Sequence, residues 1–223
     1  MFLKKMKESL KMNCKICDFD TKMFDDPDLH KQFYRCPNCQ CIMLDPFFQL
    51  SLEKENSLYD NHHNSLENEG YVKMFEDFLD FFWNDLTCKE KGLDFGSGPT
   101  PVLAELLHRR GVSVDYYDKF YQPIKCFENQ TYDFITSTEV FEHLEDPVAT
   151  LSLLSQHLKP EGVIALMTLF HTNDEASFLT WWYRRDPTHI TFYTPYTLDV
   201  LAKKCGLDVV KTDGKRIAIL RKR

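Results

Sequence analysis

From Lys91 onward the sequence predicts an α/β fold: a mostly parallel sheet that finishes in an antiparallel hairpin, preceded by a small cysteine-stapled module. Three observations carry this. Short strand-like runs alternate with helical segments, the pattern of a parallel sheet covered on both faces. Asp213-Gly214, between the last two strand-like runs, is a two-residue hairpin signal that reverses the final strand. Of the eight cysteines, five lie within the first 41 residues, four of them in two C-x-x-C pairs.

The chain divides into residues 1–48, 49–90 and 91–223. In the first part, Cys14-x-x-Cys17 and Cys36-Pro-Asn-Cys39 are separated by eighteen residues. Each pair presents two thiolates on a tight turn toward one tetrahedral ion. The arrangement resembles a zinc ribbon. A module of about forty residues holds too little core to fold alone, so the metal supplies much of its stability. Four thiolates leave no open coordination position, which implies a structural role. Iron–sulfur is the chemical alternative, and Cys41 could replace Cys39 as a ligand. Cys88, Cys126 and Cys205 are scattered and read as small buried hydrophobes.

Residues 49–90 carry ten acids against three lysines, an acidic connector leading into a helix. There Tyr71, Met74, Phe75, Phe78, Leu79 and Phe82 recur at helical spacing and form one stripe that must face a core. In residues 91–223 the runs 92–95, 112–118, 132–137 and 162–168 read as strands. Thr100-Pro101, Asp146-Pro147 and Thr194-Pro195 each put a capping side chain before a proline at the first helical position, where the missing N–H costs nothing. Gly206 ends the last helix. The chain then closes on LDVVKTDGKRIAILRKR, the predicted hairpin.

Composition narrows the function classes. Thirty-four acids against 27 Lys+Arg give a net charge of −7, which repels a phosphate backbone and disfavours general nucleic-acid binding. The longest apolar runs, such as 163–167, fall far short of the roughly 18–20 residues that span a bilayer. The start, MFLKKMKESLKMN, lacks an apolar segment and a small-residue cleavage site. A cytoplasmic protein with no membrane segment and no disulfide framework is expected.

The strongest local signal is LDFGSGPTP at 93–101. A strand delivers Asp94, Gly96 and Gly98 allow a sharp turn with close backbone approach to a ligand, and a helix follows. About twenty residues on, Asp118 ends the next strand, where a carboxylate can accept both hydroxyls of a ribose. With DYYD, YDFITSTEVFEHL and LKPEGVIALMT, residues 91–221 resemble a class I S-adenosylmethionine-dependent methyltransferase. The resemblance implies a Rossmann-like sheet of seven strands. It implies that Asp94, Gly96 and Gly98, with Ser97 and Thr100 of the same turn, hold the methionine part of the cofactor. Asp118 would then hold the ribose, Lys119 and Phe120 the adenine edge, and Thr138 with the adjoining Glu139 the methionine end again. Thr100 stands where the family has a third glycine. The short stretch between Asp118 and Tyr132 leaves no clear adenine-amide contact, with Glu128 and Asn129 as candidates.

A third constellation bears on chemistry. Glu139-Val140-Phe141-Glu142-His143 follows one strand, and Arg184-Arg185-Asp186-Pro187-Thr188-His189 precedes the last helix, flanked by Trp181, Trp182 and Tyr183. Loops at the carboxyl ends of parallel strands converge, so His143 and His189 can be neighbours. Glu139, Glu142 and His143 with a later histidine resemble the metal-binding set of the small-RNA 2′-O-methyltransferases and the ubiquinone-pathway O-methyltransferases. Either these four hold a divalent ion or one histidine, His143 or His189, is the base directly. His62, His63 and His171 have no informative spacing. Trp182, Tyr183, Arg185 and His189 are the candidate contacts to a small-molecule acceptor, planar or amphipathic in character. The competing readings are a dinucleotide-binding dehydrogenase, an RNA methyltransferase using the ribbon and the basic end KRIAILRKR, and an inactive zinc-dependent interaction protein. Oligomeric state is not legible.

Overall fold

The computed structural model describes residues 12–59 and 65–223; the lysine-rich start up to residue 11 and the segment 60–64, with His62 and His63, lie outside the described residues. Two sheets organise the chain. The first begins with β1 (Lys22–Asp26), β2 (Lys31–Arg35) and β3 (Ile42–Leu44), paired antiparallel in sequence order. Asp26 closes the first turn, its Oδ1 accepting from the N–H groups of Asp28 and Leu29 at 3.0 and 3.1 Å. A short turn at Pro46–Phe48, helix α1 (Leu52–Tyr59) and helix α2 (Glu69–Phe82) lead to the second sheet.

The rest of the chain runs β4 (Lys91–Phe95), α3 (Val102–Arg109), β5 (Ser113–Tyr117), β6 (Tyr132–Thr138), α4 (Pro147–Gln156), β7 (Leu158–Met167), α5 (Glu175–Thr180), β8 (Thr191–Phe192), α6 (Pro195–Lys204), β9 (Leu207–Thr212) and β10 (Ile217–Lys222), and all of these strands except β8, which belongs to the first sheet, form the second sheet. The order of the second sheet is β5-β4-β6-β7-β10-β9. The first four strands are parallel, and β10 runs antiparallel to both β7 and β9. The predicted α/β architecture with a reversed end is therefore the observed one. The expected seven strands are six among the described residues. After β5 the backbones of Asp118 and Gln122 exchange hydrogen bonds at 3.2 and 3.0 Å, folding the chain back before a further strand can form.

All of β6 is buried, because helices cover both faces of the sheet. On one face Phe134 joins Phe78, Phe82, Leu103 and Leu106; on the other Ile135 joins Leu151, Leu154, Leu198 and Leu201. The apolar stripe of α2 thus finds its core, and Asn68 caps the helix by accepting from Tyr71 N–H at 3.1 Å. Asp146 and Thr194 cap α4 and α6 as their sequence implies, and Gly206 follows α6 at φ +74°.

Two local expectations are corrected. Thr100 does not cap α3: the helix starts one residue later with Pro101 at the cap, because Val102 N–H already bonds Thr100 O. The last hairpin does not turn on two residues. Asp213 Oδ1 accepts from Lys215, Arg216 and Ile217 N–H, each at 2.8 Å, and these three donors open the loop to 213–216.

The small sheet also takes a strand from far along the chain. β8 pairs with β3, Ile42 opposite Phe192 and Met43 opposite Thr191. Phe24, Phe33, Ile42 and Leu44 share one apolar cluster with Phe178, Tyr183, Ile190 and Phe192. The cysteine module is therefore welded to the segment that carries His189. No helix among the described residues is long and apolar enough to cross a membrane.

Phe82 is fully buried and its ring lies 6.2 Å from that of Phe134. Phe82→Ala is expected to destabilise the chain by about 3–5 kcal/mol, read as a lower urea midpoint. A loss below about 1 kcal/mol would mean that α2 is not docked on the sheet.

Candidate functional site

The loops that leave β4, β5 and β6 meet at one cavity of about 480 Å³. Its floor is the turn after β4. Gly96 sits at φ +90° and Gly98 at φ +68°, and a Cβ on Gly96 would overlap the Cγ2 of Val140. Only glycine meets both demands. Gly96 and Ser97 donate their N–H groups to Tyr117 O at 2.8 and 3.1 Å. Asp118 is fixed by three backbone donors, Gly98 on Oδ2 at 3.0 Å and Phe120 and Tyr121 on Oδ1 at 2.8 and 3.1 Å. A carboxylate offers about four acceptor positions, so it keeps capacity for a ligand hydroxyl. Asp94 is buried and accepts from Thr136 Oγ1 at 3.0 Å. Burial pushes its pKa up to about 7, against the pull of that hydrogen bond.

The opposite wall comes from the loop after β6 and from 182–189. Glu139 turns the chain at φ +52°. Tyr183 Oη donates to Glu142 Oε1 at 2.5 Å and lies 3.0 Å from Glu139 Oε2. Desolvation and then the neighbouring Glu142 charge push Glu139 up to about 9, although Glu139 as a whole residue is exposed. Glu142 is fully buried, its pKa is raised by that burial, and its Oε2 has no hydrogen-bond partner among the described residues.

The two histidine rings lie 4.8 Å apart, centroid to centroid. His143 Nδ1 is 3.0 Å from Thr188 O and His189 Nδ1 is 2.8 Å from Tyr183 O. A carbonyl can only accept, so both rings carry their proton on Nδ1 and leave Nε2 as the acceptor nitrogen. Burial lowers both pKa values to about 4, so both rings are neutral near pH 7. Ligand atoms of Glu142, His143 and His189 all lie within 4.8 Å of one another. That set suits a hard or borderline divalent cation held by two imidazoles and a carboxylate, with positions left open. Glu139 falls outside this trio.

The four cysteines form a separate cluster. Cys14 and Cys39 sulfurs are 3.4 Å apart, as are those of Cys17 and Cys36, and all four lie within 4.8 Å of one another. This spacing fits four thiolates around one tetrahedral ion. Cys41 is buried with its Sγ 3.7 Å from Ile42 O, beside that set. None of the described residues 12–48 lines the cavity.

Of the residues singled out in the sequence, Asp94, Gly96, Ser97, Gly98, Asp118, Lys119, Phe120, Thr138, Glu139, His143, Trp182, Tyr183 and His189 line the cavity. Thr100 and Arg185 are exposed outside it, as are the adenine candidates Glu128 and Asn129, and Glu142 lies buried behind its wall. Tyr71, Met74 and Phe75 were legible only as a core stripe, yet the first turns of α2 form part of the lining. Asp186 also lines it, a residue whose only sequence signal was its place in the loop before His189.

Sheet order, reversed last strand and a cavity over the glycine turn define a class I S-adenosylmethionine-dependent methyltransferase. Residues 66–212 match the family model described as a methyltransferase domain, and the chain belongs to that family. A ubiquinone biosynthesis O-methyltransferase from Saccharophagus degradans is 33% identical over 78 residues, 35% of this chain and 33% of that protein. The corresponding enzyme of Nitrosospira multiformis is 27% identical over 131 residues, 55% of each chain. The chain thus spans between a third and about half the length of these curated relatives. Among solved structures, an O-methyltransferase family protein from Burkholderia thailandensis superposes with a TM-score of 0.55 at 14% identity, covering 79% of this chain and 63% of that one. This last likeness concerns the fold.

Asp94 gives the free protein a pH signature. Its folded pKa near 7 lies above the unfolded value of about 3.9, so its contribution to stability is fully present below about pH 4 and lost as pH rises through 7. The slope is about 1.4 kcal/mol per pH unit at most. Urea unfolding at pH 4.5 and 7.5 should therefore show Asp94→Asn gaining on the wild type as pH rises. A gap that does not change with pH would contradict the burial assigned to Asp94.

Proposed function

We propose that the chain transfers a methyl group from S-adenosylmethionine to a hydroxyl oxygen of a small aromatic acceptor, and that Glu142, His143 and His189 hold a divalent cation beside that oxygen. The observation that carries this reading is the convergence of one carboxylate and two Nδ1-protonated imidazoles within 4.8 Å. The Nδ1 bonds to Thr188 O and Tyr183 O are the outer supports that orient metal-binding histidines. The cofactor supplies an already activated methyl on a sulfonium, so the protein's work is alignment and removal of one proton.

Asp94, Gly96, Ser97 and Gly98 would hold the methionine end, Asp118 the ribose, Lys119 and Phe120 the adenine edge, and Thr138 with Glu139 the methionine end from the other side. Tyr71, Phe75, Trp182 and Tyr183 give the cavity an aromatic lining suited to a planar acceptor. The names of the curated relatives support an O-methyl product, and lining acids outnumber the single lysine, which disfavours an anionic acceptor. Against the RNA reading, three of the five basic side chains of the end are engaged within the chain: Arg221 reaches Asp85 O, Lys222 reaches Ser155 O and Leu158 O, and Arg223 pairs with Asp208.

Magnitudes favour the cation over a histidine acting alone as base. A phenol near pKa ~10 facing an imidazole at about 4 makes proton transfer uphill by about six pKa units. A cation held by Glu142, His143 and His189 would lower the acceptor's pKa and so narrow that gap. The four cysteines are read as a structural zinc site, with elemental analysis expected to find one zinc per chain and iron as the contradicting result.

Turnover of a panel of phenols and catechols with S-adenosylmethionine tests the proposal, with the zinc content monitored throughout. Chelation is expected to abolish turnover, magnesium or manganese to restore it, and Glu142→Ala, His143→Ala and His189→Ala each to lower it about 100-fold or more. Indifference to chelator with one histidine variant far worse than the other two would establish the direct-base reading instead.

A further inference from the structure

We propose that Asp26 and Arg184 form a positioning pair through which the cysteine ribbon sets the His189 side of the cavity; this rests on His189 being a site residue, as read above. Both side chains are fully buried, with Arg184 Nε 2.8 Å from Asp26 Oδ2. Nη2 lies 3.4 Å from Asp28 Oδ2, and Nη1 donates to Trp181 O at 3.2 Å. A buried ion pair is a poor source of net stability beside an apolar contact of the same volume. What it supplies, with Nη2 donating to Asp26 Oδ1 at 3.4 Å, is a side-chain anchor between two elements that also meet through apolar packing, the β3–β8 pairing and the hydrogen bonds given below.

The anchor matters because of one peptide unit. The amide of Arg184 is the other half of the group whose carbonyl, Tyr183 O, accepts from His189 Nδ1 at 2.8 Å. Holding the guanidinium in the ribbon therefore holds that carbonyl, and with it the tautomer that turns Nε2 into the acceptor. On the same residue pair the Tyr183 hydroxyl meets Glu142. Two further ties run in parallel. Leu44 N–H donates to Ile190 O at 3.0 Å while Ile190 N–H donates to Glu142 O at 2.8 Å, so ribbon strand, His189 segment and Glu142 loop lie in one hydrogen-bonded row. Lys15, inside the first cysteine turn, reaches Thr191 Oγ1 at 3.0 Å and Leu144 O at 3.4 Å. The ribbon thus acts on the cavity without lining it.

The test uses the full chain with ¹⁵N-labelled histidine, with divalent cation removed from the histidine site and the zinc content checked, the His189 signal being assigned by comparison with His189→Gln. Long-range ¹H–¹⁵N spectra of the wild type are expected to show His189 as a single tautomer protonated on Nδ1. Asp26→Asn should convert it to a mixture of tautomers, while S-adenosylhomocysteine affinity by calorimetry stays within about threefold, because the glycine turn and Asp118 are untouched. The double variant Asp26→Asn with Arg184→Met removes both charges, guards against misfolding from an unpaired buried guanidinium, and should show the same mixture. A folded double variant that keeps His189 wholly in the Nδ1-protonated form would overturn the proposal. Failure of the wild type to bind S-adenosylhomocysteine would count against the methyltransferase reading alone, since the histidine signal is recorded without it.

Discussion

Val140 resting on Gly96 is the contact on which the two halves of the cavity depend. β6 is buried along its whole length, so the chain can turn only where it leaves the sheet, and Glu139 turns it through a positive φ. That turn brings Val140 across the sheet onto the bare α-carbon of Gly96. The glycine is thus required twice, once by its own backbone angle and once by its neighbour. The glycine turn and the Glu142–His143 loop are thereby fixed relative to each other by packing.

The second dependency runs through the ribbon. A forty-residue module with little core of its own has two sources of order, its cysteine cluster and the surface it leans on. Here that surface is the segment 178–192, whose Phe178, Tyr183, Ile190 and Phe192 complete the ribbon's apolar cluster. Dependence is mutual: the segment gains a strand partner for β8 and an ion-pair anchor for Arg184, and the cavity gains a rigid wall carrying Tyr183 and His189. An N-terminal structural module and a C-terminal site loop form one mechanical unit, and this couples the cysteine cluster to the histidine cluster without any shared ligand.

Much of this was legible in the sequence, for identifiable reasons. The glycine turn, Asp118 and the strand runs are local patterns whose physics is set within a few residues, and the structure places them as expected. The two C-x-x-C pairs are equally local. His143 and His189 could be linked only by the rule that loops at strand ends converge, and their rings do meet. What failed was non-local or competitive. Thr100 carries a capping side chain, but the tight turn before it starts the helix one residue later. Asp213-Gly214 has a hairpin signature, yet the Asp213 carboxylate captures three N–H groups and lengthens the loop. The α2 stripe read as core, and nothing in its periodicity distinguishes the ring that faces the sheet from the ring that faces the cavity. The β3–β8 pairing joins residues about 150 apart through a two-residue strand, too short to leave a periodic trace.

Where metal sits in this chain is the most direct test of the proposed site. Crystals grown with S-adenosylhomocysteine and manganese, measured at the manganese and zinc absorption edges, would locate both ions independently of any assay. The expected result is a zinc peak enclosed by Cys14, Cys17, Cys36 and Cys39, and a manganese peak about 2.1–2.2 Å from Nε2 of His143 and His189 and from a Glu142 oxygen. A fully occupied cofactor with no manganese peak between those three side chains would contradict it.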